Sequence, residues 1–126
     1  MADSADPAAL DVSGIQQRLR EFAAEREWQR FHTPKNLAMA LASEMGELVE
    51  LFQWLSEAES RRLSDRERLR VGEEIADIQI YLLRLTDVLG VDLADVVERK
   101  LLDNAERYPV DLSRGNATKY SRRDGE

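Results

Sequence analysis

Two stretches of the chain hold their apolar residues at alternating spacings of four and three over about five helical turns. One runs Leu37, Leu41, Glu44, Leu48, Leu51, Leu55; the other runs Val71, Ile75, Ile78, Leu82, Leu85, Leu89. This period belongs to a helix and is incompatible with the two-residue alternation of a half-buried strand. The first row has an exception at its centre. Glu44 occupies a position where a carboxylate costs free energy unless positive charge meets it.

The local punctuation predicts four helices. The first spans about Asp11 to Trp28, with Ile15, Leu19 and Phe22 at helical spacing. In the loop "RFHTPKN", Thr33 suits a cap and Pro34 the first position of a second helix reaching about Glu57. "SDRE" at Ser64 to Glu67 is a capping box opening the third helix, and Gly90 suits its end. Asp92 caps a fourth, which stops near Arg107 before Pro109. Short loops between such helices imply an all-α four-helix bundle over residues 11–110. Residues 1–10 read as a disordered N-terminus and 111–126 as a flexible polar tail.

Helices two and three are apolar on more than one side. Opposite Glu44 stand Met39, Ala42, Gly46 and Val49; opposite Glu74 stand Gly72, Ala76 and Leu83. A glycine inside a helix costs about 1 kcal/mol against alanine, so Gly46 and Gly72 point to close helix approach. Four helices hardly cover both faces of two of them, which implies a homo-oligomer, with a homotetramer built as a dimer of dimers as the expected form.

Composition excludes several chemistries. The 126 residues suit one domain, and a net charge of −7 argues against nucleic acid polymers and anionic membranes as partners. With no cysteine and a single histidine, one chain builds neither a thiol centre, a catalytic triad nor a multi-histidine metal site. The start "MADSADPAAL" has neither the basic end nor the apolar core of a signal peptide, so a cytoplasmic location is expected.

What remains is carboxylate chemistry. Glu47 follows Glu44 by one turn, and Asp77 follows Glu74 by one turn, so two helices each offer an i, i+3 acid pair. Four converging carboxylates need cations, and a hard divalent ion takes oxygen ligands. A pair of buried Glu–Arg bridges, with Arg70 and Arg84 as candidates, is the other way to neutralise them. A ferritin-like di-iron site needs Glu-x-x-His, and no histidine follows either pair.

"SEMGELVELFQW" followed by "GEEIADIQIYLLRL" resembles the E-x-x-E … E-x-x-D signature of the MazG-like all-α nucleoside triphosphate pyrophosphohydrolases. "EFAAEREWQRFHTPKN" and "KLLDNAERYPV" resemble the dCTP pyrophosphatase branch, so the likeness runs from about Ile15 to Val110. The resemblance implies magnesium-dependent hydrolysis of a nucleoside triphosphate, with dCTP or a modified dCTP favoured, to the monophosphate and pyrophosphate. It maps the metal acids onto Glu44, Glu47, Glu74 and Asp77; Glu73 lacks the spacing to Asp77. Leu19 departs from the animal pattern, which has histidine there, and dUTP or other noncanonical triphosphates stay open as substrates. A non-catalytic helical interaction module is the rival of a different class.

Of the two acids on helix two, Glu47 at the accessible edge is the expected general base, with Glu44 beside it. Trp54, two turns beyond Glu47, suits stacking on a base, and the resemblance places Trp28 near the base as well. His32 reads first as a loop hydrogen-bonder and second as a substrate contact, and Tyr81 shares the Glu74 face. On helix four, Lys100 and Asn104 continue the row of Leu93 and Val97, with Arg107 and Tyr108 at its end. These groups suit triphosphate oxygens and sugar hydroxyls.

Overall fold

The first helix, α1 (Val12–Glu25), begins where the Asp11 carboxylate accepts the backbone N–H of Gly14 at 2.9 Å. It ends three residues before the expected Trp28. Glu27 adopts φ 54, a left-handed conformation that no helix continues through, and the Trp28 N–H turns back to the Ala23 carbonyl at 2.9 Å. A 3-10 turn (Gln29–Phe31) then leads into α2 (Pro34–Phe52), capped as expected by Thr33, whose hydroxyl accepts from the Asn36 N–H. The Asn36 side chain donates to the Phe31 carbonyl at 3.0 Å and fixes the loop against the helix.

In this computed structural model residue 6 and residues 8–123 are described. The expected disorder of residues 1–10 therefore falls largely, at 1–5 and 7, outside the described residues.

The second helix stops at Phe52 rather than near Glu57. Ser56 and Glu59 form a capping box of their own and open a separate turn, α3 (Glu57–Ser60). The predicted box at Ser64 and Glu67 opens α4 (Asp65–Leu89), and Gly90 closes it with φ 66, where a side chain would be strained.

The chain divides into two compact units, residues 1–90 and 91–126. In the first, α4 packs along α2 and against α1. The expected four-helix bundle thus appears within this unit as three long helices, because the fourth belongs to the second unit. Its fully enclosed apolar core is small: Ala23, Leu37 and Leu83. Leu83 lies on the half of α4 that meets α1, where the Gln16 amide donates to its carbonyl. The face predicted to be open is therefore open only toward the N-terminal half of α4. Around Gly46 and Gly72 no atom lies within 4 Å of where a Cβ would stand, so the expected close helix approach is not made within the described chain.

The second unit holds α5 (Leu93–Arg107), capped by Asp92, then α6 (Val110–Ser113) and a 3-10 turn (Tyr120–Arg122). These last elements lie in the stretch read as a flexible polar tail. Tyr120 meets Tyr108 edge-on at 5.9 Å, the Arg107 guanidinium lies 4.8 Å from the Tyr120 ring, and Arg123 donates to the Arg107 carbonyl.

Candidate active site

On α4 the residues Glu74, Asp77, Tyr81 and Arg84 follow one another at spacings of three, four and three, a polar row beside the apolar one. Its first half faces the acids of α2. Oxygens of Glu44, Glu74 and Asp77 lie within 4.8 Å of one another, and Glu47 is in hydrogen-bonding and coulombic reach of both half-buried glutamates. One oxygen of Glu44 and one of Glu74 are shut off from solvent with no hydrogen-bond partner. Among the described residues neither acid has an arginine or lysine partner and Arg70 forms no ion pair, while Arg84 turns to His32 and Asp87. The Glu–Arg bridges are thus not formed.

The crowding shows in the acidities. Desolvation, then the neighbouring Glu47 carboxylate, then Glu74 and Asp77, push Glu44 up to about 7. Glu74 is raised above the usual carboxylate range by desolvation and by Glu47. Glu73, one residue away, is exposed and outside the cluster, as its spacing implied.

Adjoining the cluster is a cavity of about 160 Å³ between α1, the 29–32 loop, α2 and α4. Trp28, His32 and Tyr81 line it together, and Asp77 links it to the acids. Phe22 meets Trp28 edge-on at 5.7 Å, and Trp28 meets His32 likewise at 6.3 Å, so the aromatic wall is a packed set. Leu19, the position that departs from the animal pattern, is part of the same wall.

Trp54 is not in this cavity. Its projection onto the row of Glu47 assumed a helix to Glu57, but α2 ends at Phe52, and the indole stands 87% exposed. In the second unit, Asp103 holds both Lys100, at 3.5 Å, and Arg107, at 3.3 Å, while Tyr108 and Asn104 lie on the same α5 end. Sequence reasoning named Arg84 only as a partner for glutamate. The heptad-like polar row of α4, which joins it to Asp77 and Tyr81, was the available signal.

An all-helical scaffold that sets a cluster of carboxylates beside an aromatic cavity is the class of protein these features define. The chain belongs to the MazG-like family, whose model matches residues 39–122. It is 47% identical to dCTP pyrophosphatase 1 of Bos taurus, 46% to that of Rattus norvegicus and 42% to that of Homo sapiens, each over 94% of this chain and 69% of the relative. The crystal structure of a pyrophosphatase from Archaeoglobus fulgidus DSM 4304 superposes with a TM-score of 0.74 at 39% identity, over 84% of this chain and 99% of that one.

Proposed function

We propose that the protein hydrolyses a nucleoside triphosphate, with dCTP or a modified dCTP favoured, to the monophosphate and pyrophosphate, and so cleans the nucleotide pool. The observation that carries this reading is the pair of solvent-excluded, unpartnered oxygens on Glu44 and Glu74 beside a cavity lined by Trp28, His32 and Tyr81. Similarity to the named dCTP pyrophosphatases supports the base.

The donor set fits a hard divalent cation: carboxylates only, crowded, with orphaned oxygens. Glu44, Glu47, Glu74 and Asp77 would hold magnesium, which supplies charge neutralisation at the phosphates and acidification of water. Glu47, exposed at the edge of the cluster, takes the proton of the attacking water, and Glu44 is the second acid in reach. Trp28, His32 and Tyr81 hold the base and sugar by packing and hydrogen bonds. Lys100, Asn104, Arg107 and Tyr108, expected as phosphate and sugar contacts, belong to the second unit, where Asp103 pairs Lys100 and Arg107, and Trp54 stands exposed outside the base cavity. Attack at the first phosphorus expels pyrophosphate.

Assembly belongs to the same reading. Met39 and Val49 on α2, and Leu69 and Ile75 on α4, are 47–65% exposed, and Gly46 and Gly72 border open space. Such faces suit a homo-oligomer, a homotetramer of paired dimers in our reading, around a domain spanning residues 11–110. Gly46→Leu should leave the single chain folded but lower the mass seen by light scattering. No helix among the described residues is long and apolar enough to cross a membrane.

A triphosphate panel assayed for pyrophosphate, run in ¹⁸O-water, tests the reaction. The label should appear in the monophosphate and not in pyrophosphate. Release of single phosphate, or label in pyrophosphate, contradicts the proposal.

A further inference from the structure

The second half of the α4 polar row ends in Arg84, only 8% exposed. A buried guanidinium is expected to face carboxylates, yet its Nε–H goes to a neutral acceptor, His32 Nδ1, at 3.1 Å. Its Nη1 lies 3.6 Å from Asp87 Oδ2; the other Asp87 oxygen accepts from Arg20 Nη1 at 2.7 Å. Arg20 in turn is held by Gln17 Oε1 through two donors, at 2.6 and 3.2 Å. The guanidinium is thus anchored at the end away from His32.

An arginine N–H only donates. Nδ1 of His32 must therefore be the unprotonated nitrogen, and a neutral imidazole then has its proton on Nε2. Burial and the charge of Arg84 both hold His32 below its ordinary range and keep it neutral near pH 7. Nε2 has no hydrogen-bond partner among the described residues, and His32 lines the aromatic cavity. Leu19, Phe22, Leu37 and Ile80 in the same wall offer no side-chain hydrogen bond.

We infer that Arg84 is a positioning residue that locks His32 in the Nε2–H tautomer, and that His32 thereby gives the cavity a fixed donor selecting a pyrimidine by a ring acceptor. Cytosine presents an unprotonated N3 on its pairing edge; uracil and thymine present N3–H there, which meets a fixed donor unfavourably. The inference rests on the nucleotide-binding reading above and adds the group that reads the base.

His32 is the only histidine in the chain, so a two-bond ¹H–¹⁵N spectrum reports its tautomer without assignment. The metal-free wild type should show one protonated Nε2 and one pyridine-like Nδ1. A protonated Nδ1, or two averaged signals, overturns the lock. Titration with dCMP and dUMP then reads selection: dCMP should shift the Nε2 signal and bind roughly 10-fold more tightly, the weight of about one hydrogen bond gained against one left unmade. Arg84→Met should average the two nitrogen signals and bring the two affinities within about 3-fold. Equal affinities in the wild type, or an unchanged ratio in a folded Arg84→Met, overturn selection by His32. If Arg84→Met does not fold, the wild-type spectrum and affinity ratio still decide. A triphosphate panel giving no pyrophosphate would defeat the proposed reaction alone, since the monophosphate titration does not depend on turnover.

Discussion

The two halves of the α4 polar row treat charge in opposite ways. Toward the N-terminus, Glu74 and Asp77 face Glu44 and Glu47 with no cation among the described side chains. Toward the C-terminus, Arg84 at the end of the row and Asp87 one turn on are tied to His32 and Arg20, so each charge there has a partner. One helix therefore holds a satisfied network and an unsatisfied one less than three turns apart. The satisfied half explains itself as structure and positioning. The unsatisfied half has no positive partner among the described residues, and its all-oxygen donors could hold a hard cation.

The largest expected effect follows from the unsatisfied half. Asp77→Asn and Glu47→Gln each remove ligand charge with little change of volume, so turnover should fall more than 100-fold while the helical circular dichroism stays unchanged. That corresponds to at least about 2.7 kcal/mol of barrier. Activity within about threefold of wild type would break the assignment.

Asp87→Ala probes the other half. It leaves the enclosed Arg84 without its carboxylate, which should cost about 2–3 kcal/mol and lower Tm by roughly 6–15 °C. Because Asp87 lies outside the acid cluster, cation affinity should be retained in the folded variant. A Tm within 1–2 °C of wild type, a shift worth less than about 1 kcal/mol, would mean that the network is not holding Arg84.

A smaller effect separates the halves by pH. Glu44 and Glu74 bind protons more tightly folded than unfolded, where their value is 4.5. The contribution of Glu44 to stability is full below that value, falls as pH rises through about 7 and levels off above it, and that of Glu74 is likewise lost as the acid deprotonates. Metal-free protein should thus lose Tm across this window. Glu74→Gln should flatten the loss, and the Tm gain on adding magnesium should grow with pH, because the cation takes the deprotonated acids. A metal-free Tm that rises with pH in Glu74→Gln and wild type alike would contradict the crowded-carboxylate account.

Much of this was legible in the sequence because the signals are local. Thr33 with Pro34, the Ser64–Glu67 box and Gly90 each act within a few residues, and the structure places all three where they were expected. The i, i+3 acid pairs needed only helical geometry to converge. Two boundaries were missed for local reasons that the letters state less loudly. Ser56 and Glu59 form a second capping box directly after Leu55, the last position of an apolar row that outruns its helix, and Glu27 takes a positive φ with no glycine to announce it. The misplacement of Trp54 follows from the first of these.

The partner of Arg84 was not legible at all. His32 is 52 residues away, and nothing in the sequence distinguishes an arginine that meets a glutamate from one that meets an imidazole. The exposed apolar faces were legible as a pattern, whereas the burial of Leu83 depended on which half of α4 meets α1.

The acid cluster, and not the paired half of α4, is proposed to take a divalent cation. Mn²⁺, which accepts the same oxygen donors as magnesium, reports this through the loss of its free-ion electron paramagnetic signal. Wild type and Asp87→Asn should bind the ion with affinities within about threefold, the precision of about 0.7 kcal/mol that such a comparison needs. The double variant Glu44→Gln/Glu74→Gln should bind at least roughly 100-fold more weakly, as loss of two charged ligands requires. Equal binding by the double variant and wild type would contradict the account.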